Sequence, residues 1–329
     1  MMKKRLWSRW ILALAVVWPF MAAAHDRVRE KENFDFDWKF ILNADDQANA
    51  GMQVSETGWQ DVQLPHDWSI SQNFDPKLSG SNGHLPGGIG WYRKMFRVDK
   101  KDKGRRIAVL FDGIYSRSDV YVNGQHLGFR PYGFCYQEYD LTPYLNYGAE
   151  NVLAVRVNNP LEHDSVARWY TGAGIYRHAW LVKTAEVHVA SYGTYVTTPV
   201  VTAERAEVRV RTSVANEAER TKTLSVRQQI TDGEGRTVVQ SGKQALQVAA
   251  GQTADTEHTL KIPRPQLWDT EHPYLYTLHT AVYDGRKLVD TYETVFGVRT
   301  CEFTPDRGFL LNGKPLKLKG FCLHQDDAS

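Results

Sequence analysis

The feature that most limits the fold is a series of short apolar runs in which apolar and polar residues alternate. In the run "SDVYVNGQHLGF", at 118–129, the pattern continues on both sides of Asn123-Gly124. Both turn residues tolerate the positive φ that a tight two-residue turn requires, so the run predicts a β-hairpin. Comparable runs predict further strands at 93–98, 106–113 and 151–159. No long stretch has a helical period, so the first half predicts an antiparallel sandwich or jelly roll.

A second all-β region begins near residue 185. Val208, Val210, Thr212 and Val214 alternate with charged residues, which predicts a strand with one buried face. Two longer alternating runs flank Asp284-Gly285 and predict another hairpin. About seven short strands in a region of roughly 110 residues are typical of an immunoglobulin-like sandwich.

The N-terminus has the three parts of a secretory signal peptide. Lys3, Lys4 and Arg5 precede the apolar run "WILALAVVWPFM", which ends in "AAAH". We expect residues 1–24 to be removed after Ala24, which predicts a periplasmic or secreted protein. A membrane anchor is disfavoured because the apolar run is shorter than the ~20 residues that a spanning helix needs.

Charge and cysteine content exclude two classes of function. The signal holds four basic and no acidic residues, so the formal net charge falls from +2 to −2 on export, without a basic field for nucleic acid. Cys135, Cys301 and Cys322 are odd in number and widely spaced, which fits neither a disulfide framework nor a zinc site. We expect them to be buried apolar residues, although export would permit one bridge.

Seven motifs follow one another along the chain: "LPHDW" (64–68), "GGIGWYRKMF" (87–96), "FDGIYSRSDVYVNGQHLGFRPYGF" (111–134), "RWYTGAGIYRHAWL" (168–181), "PQLWDTEHPYLYTL" (265–278), "FGVRTCEF" (296–303) and "GFLLNGKPLKLKGFCLHQD" (308–326). In this order the sequence resembles glycoside hydrolase family 2, most closely its β-galactosidase branch. One motif would be weak, since a "VYVNG" hairpin suits many jelly rolls, but seven in order are specific.

The resemblance implies an all-β chain with a galactose-binding-like jelly roll at 25–184 and an immunoglobulin-like sandwich at 185–298. Residues 299–329 would then begin a (β/α)8 barrel, and "KLKGFCLHQD" resembles its first strand. Active sites on such barrels lie at the C-terminal ends of the strands. We therefore expect the sequence to be the N-terminal part of a longer enzyme, with its barrel truncated at Ser329.

The activity implied is hydrolysis of a terminal β-galactoside with retention of configuration. Retention needs two carboxyl groups about 5 Å apart, one as acid and base and the other as nucleophile. In the family both are glutamates on later barrel strands, so no catalytic residue is assigned here and this chain alone is expected to be inactive. β-Glucuronides and β-mannosides remain alternative substrates, because the same architecture serves all three.

Four residues are predicted to bind substrate by resemblance. Arg168 would offer forked donors to vicinal hydroxyls, unless it pairs with a local carboxylate such as Asp67. His324 would bond a sugar hydroxyl unless the backbone satisfies it, and Asp326 would either take a hydroxyl or brace its loop. Asp67 would face the site or bond neighbouring backbone.

Partners and cofactors follow from the same resemblance. Carbohydrate is the expected ligand, with no membrane span in the exported chain, and a homo-oligomer is left open. No metal or other cofactor site is visible, although a divalent or sodium ion in the barrel would fit the family. A non-catalytic carbohydrate-binding module is the alternative function, because the jelly roll is of the sugar-binding type.

Overall fold

A computed structural model describes residues 28–321 apart from 43–45, 79, 81–82 and 160–169. The predicted signal peptide lies outside the described residues, and so do Arg168, Cys322, His324 and Asp326. The predictions made for them stay predictions. None of the described helices is long and apolar enough to cross a membrane.

The first sandwich is built of ten antiparallel strands. They are β1 (Glu30–Asn33), β2 (Trp38–Leu42), β3 (Gln60–Val62), β4 (Gly88–Arg97), β5 (Arg106–Phe111), β6 (Ser118–Val122), β7 (Gln125–Arg130), β8 (Gln137–Asp140), β9 (Glu150–Asn159) and β10 (Ala179–Thr184). Short 3-10 helices lie between them at Gln47–Ala50, Ser69–Ser71, Lys100–Asp102 and Thr142–Tyr144.

These strands form two sheets around one apolar core. The order is β3-β2-β4-β9-β6-β7 in the larger sheet and β1-β10-β5-β8 in the smaller. The predicted hairpin joins β6 to β7, where Asn123 (φ 52°) and Gly124 (φ 83°) take the positive φ that the turn requires. Aromatic rings of Trp38, Trp68 and Tyr92 fill the centre of the core and are fully buried.

The second sandwich follows directly. Its strands are β11 (Val187–Val201), β12 (Arg205–Asn216), β13 (Lys222–Thr231), β14 (Thr237–Gln240), β15 (Gln244–Val248), β16 (Gln252–Pro263), β17 (Tyr276–Asp284) and β18 (Lys287–Phe296). One sheet has the order β11-β12-β16, and the other β14-β13-β17-β18 with β15 also paired to β13. Val208, Val210, Thr212 and Val214 are all fully buried, as their alternation predicts. The prediction of two successive β-sandwiches is confirmed.

Contacts between side chains join the two sandwiches. Arg29, just before β1, donates to both carboxylate oxygens of buried Asp290 on β18, at 3.0 and 2.7 Å. Arg106 on β5 donates to Glu217 at 2.8 Å. The aromatic rings of Tyr136 and Tyr192 add a contact with centroids 4.7 Å apart.

A small sheet follows the second sandwich. It consists of β19 (Cys301–Thr304), β20 (Gly308–Leu311) and β21 (Lys314–Pro315) in that order. Residues 316–321 have no regular secondary structure, and Leu318 and Phe321 are 71% and 90% exposed. Residues 316–321 therefore do not form an interior strand of the second sandwich. The first barrel strand expected from the sequence stays a prediction.

The prediction that the cysteines are buried is wrong for the two that are described. Cys135 and Cys301 are free and exposed. Cys135 lies in the loop between β7 and β8, and Cys301 begins β19, whose first three residues are exposed, so neither position belongs to a core.

Candidate functional site

The best-defined polar site of the jelly roll joins two loops that are far apart in sequence. One is "LPHDW" at 64–68, and the other is the described part of "RWYTGAGIY", residues 170–176. The backbone N–H of His66 donates to Ile175 O at 2.8 Å, and that of Trp68 donates to Ala173 O at 3.1 Å. The two loops therefore pair almost like strands at one end of the sandwich.

Asp67 lies at the centre of this pairing. Its Oδ1 accepts hydrogen bonds from the backbone N–H groups of Ser69 and Ala173, both at 2.9 Å. Its Oδ2 accepts from the Tyr170 hydroxyl at 2.6 Å. Charge-assisted bonds of this kind are among the stronger ones in proteins, so the half-buried carboxylate fixes both loops.

Glycine is required beside this carboxylate. Gly172 has φ 71°, and a Cβ there would lie 2.6 Å from Asp67 Oδ2. Any other residue would be strained by its backbone and would push the carboxylate out of place. Gly172 of "YTGAG" is therefore explained by its close approach to Asp67, and Gly174 by its close approach to the Tyr92 hydroxyl and the carbonyl oxygen of His66.

Aromatic residues of the core pack against His66 and Trp68 of this site. His66 Nδ1 and the Tyr92 hydroxyl are 2.8 Å apart, and Trp68 packs against both Phe40 and Tyr92. Burial lowers the pKa of His66, and the negative charge of Asp67, which raises that pKa, has the smaller effect. Burial raises the pKa of Tyr92 well above its usual value. A neutral imidazole and a protonated phenol follow. Either group can be the donor in the hydrogen bond between them, according to which ring nitrogen of His66 carries the proton.

Burial raises the pKa of Tyr170 first, and the hydrogen bond to Asp67 raises it further. The hydroxyl therefore stays protonated and remains a donor to the carboxylate. The arrangement offers a carboxylate oxygen and a neutral imidazole for hydrogen bonds to hydroxyl groups, but it does not supply the paired carboxylates of a glycosidase.

Of the predicted binding residues, the structure places only Asp67. Asp67 bonds backbone N–H groups and the Tyr170 hydroxyl, in agreement with the alternative that it bonds neighbouring backbone. A contact between Asp67 Oδ2 and sugar stays a prediction. Trp68 is fully buried, as expected of a core residue. The bond between Tyr170 and Asp67 could not be predicted from the residue types, because a tyrosine in a β-rich chain is more often a core residue.

Ion binding has no visible basis in the part of the chain that the structure describes. Among those residues, no group of three or more His, Cys, Asp or Glu side chains is arranged to hold a metal.

Comparison with protein families matches both sandwiches. The profile described as "Glycosyl hydrolases family 2, sugar binding domain" matches residues 32–185, and that described as "Glycosyl hydrolases family 2" matches residues 187–299. The two matches coincide with the jelly roll and the immunoglobulin-like sandwich. The chain belongs to glycosyl hydrolase family 2.

Curated members of family 2 resemble this chain over most of its length. The β-galactosidase BoGH2A of Bacteroides ovatus is 43% identical over 91% of this chain and 35% of its own length. A β-glucuronidase of Formosa agariphila is 34% identical over 89% of this chain and 32% of its own. The chain thus spans about a third of the length of these relatives.

Solved family 2 structures agree with the fold. A member from Bacteroides cellulosilyticus superimposes with a TM-score of 0.80 at 38% identity, covering 89% of this chain and 40% of that one. A β-glucuronidase gives a TM-score of 0.81 at 33% identity, covering 89% and 33%. The arrangement of the two sandwiches is therefore the one that family 2 enzymes carry.

Proposed function

We propose that this chain is the N-terminal part of an exported retaining glycoside hydrolase that cleaves terminal β-galactosides. The observation that supports it most is the 43% identity to a protein named β-galactosidase, which extends through both sandwiches. Relatives named β-glucuronidase are 34% identical or less, so β-glucuronides are the second candidate substrate and β-mannosides a third.

In this proposal the two sandwiches do not carry the chemistry. The acid–base and nucleophilic glutamates would lie on a (β/α)8 barrel that follows the hairpin of β19 and β20 in the whole protein. Asp67, together with Arg168, His324 and Asp326, would contact sugar hydroxyls at the entrance of that barrel. Orientation of the substrate by such groups lowers the entropic part of the barrier.

The rigid pairing around Asp67 supports the binding role. A carboxylate held by two backbone N–H groups and a phenol keeps its position when a sugar arrives, so little order must be imposed on binding. The module alternative differs in one respect: the whole protein would then bind sugar but would not hydrolyse it.

The decisive test is hydrolysis of 4-nitrophenyl β-galactoside and 4-nitrophenyl β-glucuronide by the product of the full reading frame. We expect the galactoside to have the higher kcat/KM and the 329-residue chain to hydrolyse neither. Preference for the glucuronide would overturn the β-galactoside as the substrate. Hydrolysis of neither of these compounds nor of 4-nitrophenyl β-mannoside by the longer protein would overturn the proposal that it is a glycosidase.

The role of Asp67 is tested in the same longer protein. Asp67→Asn keeps the shape but weakens the charge-assisted bonds, and we expect KM to rise about tenfold, as for loss of one charged hydrogen bond. The matched control is Asp61→Asn, since Asp61 pairs with Lys39 at an exposed edge of the same domain. Equal KM values for the two variants would contradict the binding role.

A further inference from the structure

A cleft lies on the open side of the jelly roll, where the two sheets end. β7 is the last strand of the larger sheet and β8 the last strand of the smaller. The two edges approach closely, since a Cβ on Gly128 would lie 3.2 Å from the ring of Tyr139. The loop 131–136 joins the two strands and closes one end.

Two hollows of about 430 and 480 Å³ make up this cleft. Both are lined by Arg130 and Glu138, so they adjoin there, and the two together are called the β7–β8 cleft below. Each hollow falls within the ~300–1,000 Å³ of typical small-molecule sites. Together they have room for more than one sugar unit.

Exposed aromatic rings line both hollows. Phe129 and Tyr144 border the first and are 50% and 43% exposed. Tyr132 and Tyr136 border the second and are 61% and 47% exposed. Clustered exposed apolar surface marks binding sites, and rings with a polar tip suit ligands that have both apolar and hydroxyl-bearing faces. Pyranose rings have both.

Polar groups lie among these rings. Arg130 and Asp140 are exposed in the first hollow, and Glu138 is held by Arg106 at 2.7 Å. A guanidinium and a carboxylate can each bond two neighbouring hydroxyls, which is how proteins recognise sugars without a net charge on the ligand. The mixture of rings with both signs of charge disfavours nucleic acid, which needs a basic surface.

The cleft also ends at the junction between the sandwiches. Tyr136 contacts the ring of Tyr192 on β11, and Tyr192 donates to Asp112 at 3.3 Å. Binding sites are common at such junctions, because walls from two domains meet there. We propose that the β7–β8 cleft is a second carbohydrate site, which binds the chain of a neutral oligosaccharide. It shares no residue with the Asp67 site.

The first experiment titrates the 329-residue chain with lactose, cellotetraose and β-1,4-galactotetraose by calorimetry. We expect at least one tetrasaccharide to bind, and more tightly than lactose, because it fills both hollows. Phe129→Ala and Tyr132→Ala should each weaken this binding about tenfold, as for anchor residues of other binding sites. Phe303→Ala is the matched control, since Phe303 is 79% exposed on β19 and remote in sequence from the cleft.

A second experiment uses the two exposed cysteines. Cys135 lines the second hollow, while Cys301 lies on β19. In a Cys322→Ser background, saturating tetrasaccharide should slow the reaction of Cys135 with a maleimide at least threefold and leave the rate of Cys301 unchanged. This contrast reports the position of the ligand without any change in the cleft itself.

Three results would overturn the proposal: no binding of any of the three sugars, binding that both cleft variants leave unchanged, or equal protection of the two cysteines. The proposal is separable from the proposed function, which concerns hydrolysis by the longer protein. If the longer protein hydrolyses sugar but the cleft binds none, only the proposal of a second carbohydrate site fails. If the cleft binds sugar but the longer protein hydrolyses none, only the proposed enzymatic function fails.

Discussion

The space between the two sheets of the jelly roll is filled by one apolar cluster, with a separate, smaller cluster around Trp91 and Tyr121, whereas the immunoglobulin-like sandwich is crossed by polar side chains that divide its core. In the second sandwich one apolar cluster contains Val210 and Leu278 and the other contains Val214 and Val282. Between them lies a polar layer, one residue on each of four strands, made of Thr212, Gln228, His258 and Thr280.

The polar layer is hydrogen-bonded in part. Gln228 Nε2 donates to the Thr212 hydroxyl at 2.9 Å, and Gln228 Oε1 accepts from the Thr280 hydroxyl at 2.7 Å. Both ring nitrogens of His258 lack a partner among the described residues. The difference between the two cores teaches that stability rests on aromatic packing in the first sandwich and, in the second, also on a partly hydrogen-bonded polar layer that fixes which strands meet.

The largest effect is expected where the comparison rests on packing. Trp38 is fully buried against Tyr92 and Phe111. Trp38→Ala should lower the free energy of unfolding of the jelly roll by about 3–5 kcal/mol, through lost contacts and a cavity. The measurement is urea unfolding followed by hydrogen exchange of peptides from each sandwich, because two domains need not unfold together. Phe36→Ala, at a 53% exposed position, should leave the free energy of unfolding of the jelly roll unchanged.

Independence of the two sandwiches is tested by the Arg29–Asp290 pair. Arg29→Met leaves the buried Asp290 carboxylate without its cation, and loss of one partner of a buried pair destabilises by about 3–5 kcal/mol. We expect the free energy of unfolding to fall somewhat less than for Trp38→Ala, since Arg29 is partly exposed. Hydrogen exchange should show this loss of stability in peptides of both sandwiches. An effect confined to one sandwich would contradict coupling. Arg209→Met, which breaks an exposed pair with Glu257, should change stability by less than about 1 kcal/mol.

The polar layer predicts an effect that a wholly apolar core would not give. Gln228→Leu leaves two buried threonine hydroxyls without partners and should destabilise the second sandwich by about 1–3 kcal/mol. The triple variant with Thr212→Val and Thr280→Val should recover most of this loss, because all unpaired groups are then removed. Denaturant unfolding of the wild-type chain, the single variant and the triple variant measures these changes in the free energy of unfolding. Gln229→Leu on the opposite face is the control, and no recovery in the triple variant would exclude a hydrogen-bonded layer.

The smallest effect concerns the unpaired imidazole. Burial lowers the pKa of His258, with only a weak opposing effect from the backbone of Val226. The unfolded chain therefore takes up a proton first as the pH falls through about 6.5, and stability is lost below that value. His258→Leu should stabilise the second sandwich by about 1 kcal/mol at pH 8.

The gain from His258→Leu should be larger at pH 5, where the wild-type chain bears the additional proton-linked loss. Thermal unfolding at the two pH values measures the difference. The control is His272→Leu, because the His272 side chain is 84% exposed. An equal gain at both pH values would show that His258 titrates normally.

Much of this architecture could be read from alternation and turns alone. The positions of the strands, the Asn-Gly turns and the inward direction of Thr212 follow from a period of two, which is a local property of the chain. The order of the seven motifs likewise identified the family. The exposure of Cys135 and Cys301 was not predictable in this way, because a cysteine is compatible with either face of a hairpin.

The sequence by itself determined that the chain builds two β-sandwiches and which side chains enter them. Only the tertiary structure decided what those side chains meet: Asp67 bonds Tyr170, 103 residues away, and Gln228 bonds Thr280, 52 residues away. The physical reason is that alternation is set between neighbours along one strand, whereas a hydrogen-bond partner is set by which strands pair and pack. The same holds for the β7–β8 cleft, whose walls belong to the edges of two different sheets.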